Sequence, residues 1–149
     1  MSAIASVKAQ LVSVLGGLFP APVLVSYGNP GSYQPDVIVG VHDVRVKITR
    51  PTMSTARPRE EAAEIDVRFS VYVAMGDTAQ QQATETAVGM LTTFSNYFKT
   101  RPNETLGGTC REAWVSSYEL TEDVAVDPEM NVAGRLAEIV AVVSFATRI

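Results

Sequence analysis

Residues 64–75 alternate: Ile65, Val67, Phe69, Val71, Val73 and Met75 hold one parity, and Glu64, Asp66, Arg68, Ser70 and Tyr72 the other. Successive side chains of a strand point to opposite faces, so this pattern predicts a strand with one buried and one solvated face. Upstream, Val44, Val46 and Ile48 alternate with Arg45, Lys47 and Thr49, which predicts a second half-buried strand with a basic outer face. The connection between them, residues 50–59, is about ten residues long, so the pair reads as an antiparallel hairpin with an extended tip. Residues 23–27 and the β-branched run 37–41 read as further strands, separated by the turn residues Gly28-Asn29-Pro30-Gly31-Ser32.

Two segments carry the helical period instead. Ile4, Val7, Leu11, Val14 or Leu15, and Leu18 recur at helix spacing with Ser6, Lys8, Gln10 and Ser13 between them, and Gly16-Gly17 and Pro20 supply stop signals. The second helix opens at Asp77, which with Gln80 resembles a capping box, and its stripe is Ala79, Ala83, Ala87, Met90 or Leu91, Phe94, and Tyr97 or Phe98. Asp77 and Lys99 stand where the helix dipole favours their charges, and Pro102 and Gly107-Gly108 close the segment. Residues 110–120 and 136–146 finish the chain as strands. Ile139, Val140, Ala141, Val142, Val143 and Phe145 make the last one apolar on both faces, so it belongs in the middle of a sheet or against a neighbouring subunit. Between these strands, residues 121–133 read as a second long, acidic loop that includes Asp123, Asp127 and Glu129. The order of elements predicts an α+β fold: a mostly antiparallel sheet of about five strands with two helices packed on one face.

Composition narrows the function. The 149 residues suit one domain, 1–149, with a core sufficient to fold without disulfide or metal. The net charge of −4 is unevenly spread: residues 1–59 carry six basic and two acidic side chains, residues 60–149 six basic and fourteen acidic. A nucleic-acid grip needs a dense basic face, and here positive charge is confined to one strand and loop, so polar partners on other proteins fit better. Lys8 ahead of the apolar run 11–19 has the outline of a signal peptide, but the amphipathic spacing favours a first helix. No apolar run reaches membrane-spanning length. The lone Cys110 has no disulfide partner and suits a reducing compartment, where the Asn103-Glu104-Thr105 sequon has no consequence.

Candidate chemistry is sparse. His42-Asp43 with Cys110 fails as a Cys/His site because neighbours in a strand face opposite ways, so Asp43 cannot orient His42. One His and one Cys leave too few ligands for a transition metal, and neither Gly-rich turn matches a phosphate loop; no cofactor is implied, and no enzyme. Trp114 and Tyr118 share a parity, hence one face of a strand, where core packing competes with a partner hot spot. In residues 50–59 two prolines remove backbone donors while Arg50, Arg57 and Arg59 supply fixed charge, which suits a docking arm; the competing reading is a solvated hairpin tip.

Several features together resemble the tail terminator proteins of long-tailed bacteriophages, and related neck or tail-completion proteins. They are Arg59-Glu60-Glu61 entering the alternating strand, the helix from Asp77, the Thr105-Leu106-Gly107-Gly108 turn and the closing Ile139-Val140-Ala141-Val142-Val143-Ser144-Phe145 run. The resemblance covers nearly the whole chain. It implies a ring-forming structural subunit of the virion, assembled in the host cytoplasm as a homo-hexamer at the junction of tail and head. Such a ring stops tail-tube polymerisation and offers its other face to the head connector or stopper protein, while DNA passes through its lumen without specific binding. By the same analogy Arg50, Arg57, Arg59 and Glu60 belong to a loop that docks on the tube or connector, and Asp123, Asp127 and Glu129 face a different neighbour. The alternative is a small soluble α+β module that binds a ligand or partner without catalysis.

Overall fold

The computed structural model describes residues 4–28, 35–49, 60–74, 78–127 and 132–148. In chain order these form α1 (Ile4–Leu18), β1 (Leu24–Tyr27), β2 (Val37–Thr49), β3 (Glu60–Val73), α2 (Ala79–Tyr97), a short 3-10 turn at Asn103–Thr105, β4 (Glu112–Asp127) and β5 (Val132–Arg148). The five strands make one sheet in the order β1-β2-β3-β5-β4. Only β1 runs parallel to its neighbour; the other three pairs are antiparallel. The expected α+β architecture is present, and β5 lies between β3 and β4 as its two apolar faces require.

Both helices cover one face of the sheet. Val39, Val41, Ile65, Val67, Phe69, Ile139, Ala141, Val143 and Phe145 point into a single core with Val7, Leu11 and Leu15 of α1 and the Ala83, Ala87, Leu91 and Phe94 stripe of α2. Small residues at the start of α2 let it approach the sheet, and its aromatic end fills a thicker layer. There Phe94 stands 5.6 Å from Phe69 and 5.1 Å from Phe98, ring centre to ring centre, with Phe19 6.0 Å from Phe69 on the other side. Between the two candidate positions in α1, Leu15 is buried and Val14 only partly so.

Several sequence expectations need correction. Gly16 and Gly17 do not end α1, which runs on to Leu18. They sit where an added Cβ would touch nothing, and the apolar stripe carries the helix to the edge of Pro20. The runs 37–41 and 44–49 are one strand, β2, interrupted by a bulge between Val41 and Val44. Asp77 lies outside the described residues, and Gln80 closes no capping box: its amide donates to the Leu136 carbonyl oxygen at 3.4 Å and to Thr84 Oγ1 at 3.3 Å. Lys99 lies beyond the last turn of α2 rather than in it.

The largest correction concerns the acidic segment. Residues 121–127 are not loop but the second half of β4, paired with β5 down to Asp127 opposite Val132. An acidic, turn-rich composition disfavours a strand locally, and fifteen cross-strand partners on the strongly β-forming β5 override it.

Candidate functional site

The docking-arm residues Arg50, Arg57 and Arg59 lie outside the described residues. Glu60 is the first residue of β3, opposite Thr49. Of the acidic group, Asp123 is exposed on β4, Asp127 is the last residue of that strand, and Glu129 lies outside the described residues. The roots of the two segments are at opposite ends of the sheet: residues 50–59 connect β2 to β3 where β3 begins, and residues 128–131 connect β4 to β5 beyond Val73, where β3 ends.

At the root of the basic arm, Arg45 is already engaged within the chain. Its guanidinium donates to Asp66 at 2.8 and 3.0 Å and to Glu64 at 3.3 Å. This pairing raises the Arg45 pKa above its ordinary value and holds the Asp66 carboxyl below the usual carboxylate range. Lys47, on the same open face, makes no ion pair among the described residues. Arg68 and Glu138 form a further pair at 3.5 Å on that face.

β4 is the long edge of the sheet, and a bulge decides what it exposes. Between Val115 and Ser117 the register slips, leaving Ser116 as the extra residue. Trp114 opposes Ser144, whereas Tyr118 opposes Ala141, a fully buried core residue. Directly paired residues share a face, so Trp114 looks out from the open face and Tyr118 looks toward the helices. The shared face expected from sequence is therefore wrong, because a one-residue slip reverses every later side chain. Core packing is also overturned: Trp114 is 44% and Tyr118 61% exposed.

On the helix side, α2 lies over β3 and β5 and touches β4 only lightly. An open groove of about 510 Å³ runs between them, lined by Val88, Leu91, Ser95, Val115 and Tyr118. Leu120 and Val124 extend its apolar wall, both exposed, and Thr84 Oγ1 donates to Glu122 Oε2 at 2.8 Å across its far end. The sequence held a signal for this surface that composition hid. Tyr118, Leu120, Val124 and Val126 keep one parity, broken only by Glu122, so the alternation runs through the segment taken for loop.

The catalytic alternative gains nothing from geometry. Cys110 is buried beside the 3-10 turn with its thiol 3.7 Å from the Glu104 carbonyl oxygen, and burial pushes it up to about 11, away from the thiolate form. His42 sits in the β2 bulge, where burial and the nearby Arg68 charge lower its pKa. No group of three or more metal-ligating side chains occurs among the described residues, and no described helix is long and apolar enough to cross a membrane.

No protein-family model matches the chain, and no curated protein matches it either. Among solved structures, it is similar to a chain of the virion of a native gene transfer agent particle, at 12% identity and a TM-score of 0.39, over 96% of this chain and 92% of that one. A likeness at that score leaves the function to be read from the chain's own surfaces.

Proposed function

We propose that this chain is a structural subunit of a phage-type virion: a homo-hexameric ring at the head-proximal end of the tail that ends tube polymerisation and receives the head connector. The single observation that carries the reading is the exposed edge strand β4, sixteen residues long, whose helix-side face presents Tyr118, Leu120 and Val124 to solvent. Long uncovered edges with apolar side chains are liabilities unless another chain covers them, so β4 is suited to assembly. The resemblance of the sequence to tail terminators supplies the kind of assembly. The mechanism is physical: a ring seated on the growing end of the tube occupies the site of the next subunit, and its opposite face is left for the neck. Arg50, Arg57, Arg59 and Glu60 are assigned to contacts at one end of the subunit, and Asp123, Asp127 and Glu129 to those at the other.

The test is genetic. Removing the chain from the genome of its particle is expected to give over-long tails and unjoined heads under the electron microscope, and replacing Arg57 and Arg59 with Ala is expected to reproduce part of that defect in a folded protein. Normal particles from the deletion would overturn the terminator role; normal particles from the arginine variant alone would remove the docking arm. A second reading, a small binding module, is favoured by the groove between α2 and β4. It predicts a monomer that protects Tyr118 on adding a small ligand.

A further inference from the structure

Among the described residues the two sides of the sheet each offer a free edge, and they differ in charge. β1 pairs only with residues 38–41 of β2, so residues 44–49 have no strand on their outer side among the described residues. That free stretch carries Arg45 and Lys47 and no acidic residue. On the far side, β4 from Glu112 to Asp127 carries five acidic residues and no Lys or Arg. Two β4 strands from different copies would meet with carboxylates facing carboxylates, which disfavours a two-fold dimer through this edge. A β2 edge against a β4 edge brings opposite charges together.

The faces also match. On β2, Lys47 opposes Ala62 and points to the open face, while Val46 opposes the buried Ala63 and points to the helix side, 44% exposed. On β4, Glu119 opposes Val140 and Asp123 opposes Leu136 on the open face, while Tyr118 and Leu120 oppose Ala141 and Ile139 on the helix side. A sheet continued from one copy into the next therefore puts Lys47 on the same face as Glu119 and Asp123, and Val46 on the same face as Leu120 and Tyr118. Polar meets opposite charge on one face; apolar meets apolar on the other.

We infer that residues 44–49 of β2 in one copy add to the free edge of β4 in the next, joining the subunits head to tail through a continuous sheet. This deepens the ring reading above and rests on it. The contact uses two different surfaces of each chain, the heterologous arrangement that closes into a ring when its rotation permits. Main-chain hydrogen bonds supply the affinity, and the matched charges and apolar side chains set the register.

Because the contact is heterologous, charge reversal separates its two halves. One variant carries Glu119→Lys and Asp123→Lys, the other Lys47→Glu; all three side chains are exposed, and circular dichroism checks that each variant folds as the wild type does. In sedimentation equilibrium the wild-type chain is expected to assemble to a multiple of its 16.0 kDa mass. Each variant alone is expected to self-associate at least about ten-fold more weakly. An equimolar mixture is expected to recover assembly, since each variant's altered edge then meets its complement. Wild-type and variant chains that assemble equally well would overturn the edge contact and leave the ring reading standing. Weakened variants that fail to recover on mixing would show that these side chains do not meet each other, which also overturns the contact. A wild-type chain that stays at 16.0 kDa up to millimolar concentration would overturn the ring reading and the contact together.

Discussion

At the scale of single residues, the turn before β4 is tightly constrained. Leu106, Gly107 and Gly108 follow one another at φ of 47°, 66° and 83°, and Leu106 is fully buried despite its left-handed backbone. A Cβ at Gly108 meets no neighbour, so any cost of adding one there is the cost of the backbone conformation itself. Gly108→Ala is expected to lower stability by about 1–2 kcal/mol in urea denaturation; an unchanged midpoint would show that the turn tolerates another conformation. Asp66 and His42 make acid the weak side of the protein. Each has a folded pKa below its ordinary value, 3.8 and 6.5 respectively, so each folded group binds a proton less readily than its unfolded counterpart. The stability they contribute is present above those ordinary values and is lost as pH falls through the folded ones. Thermal melts should therefore weaken from about pH 6.5 downward, with His42→Gln flattening the upper part of the curve and Asp66→Asn the part below about pH 4. Melting temperatures that rise on acidification would contradict both assignments.

At the scale of elements, α2 shows how much an amphipathic stripe can foretell and where it stops. Every expected stripe position from Ala79 to Phe94 is buried, because helical geometry alone puts them on one side. Phe94→Ala is expected to cost about 3–5 kcal/mol, since the ring is fully buried between Phe69 and Phe98. Tyr118→Ala, at 61% exposure on the neighbouring strand, should change stability by less than about 0.5 kcal/mol in the same assay. A large loss at Tyr118 would mean that the groove is closed in the isolated chain. β4 itself was half legible: its first part alternates, but Glu122, Asp123 and Asp127 imitate a loop. Pairing with β5 carries the strand through them, along the alternation that their charges mask.

At the scale of the whole molecule, the fold separates the two charged segments that stand out in the chain. The basic connection follows β2 and the acidic one follows β4, and the sheet holds their roots at opposite ends with strands of up to seventeen residues between them. A chain with unlike ends can meet unlike neighbours. What the sequence alone determined was the α+β class, the β2–β3 hairpin, the buried stripes of both helices and the two apolar faces of β5. All of these follow from local periodicity, because helix and strand repeat their side-chain directions at fixed intervals. Only the tertiary structure decided the two bulges, the parallel placement of β1, the full length of β4 and the surface that α2 leaves bare. A bulge reverses facing without changing composition, and an edge becomes free only through what packs beside it; neither has a period to read.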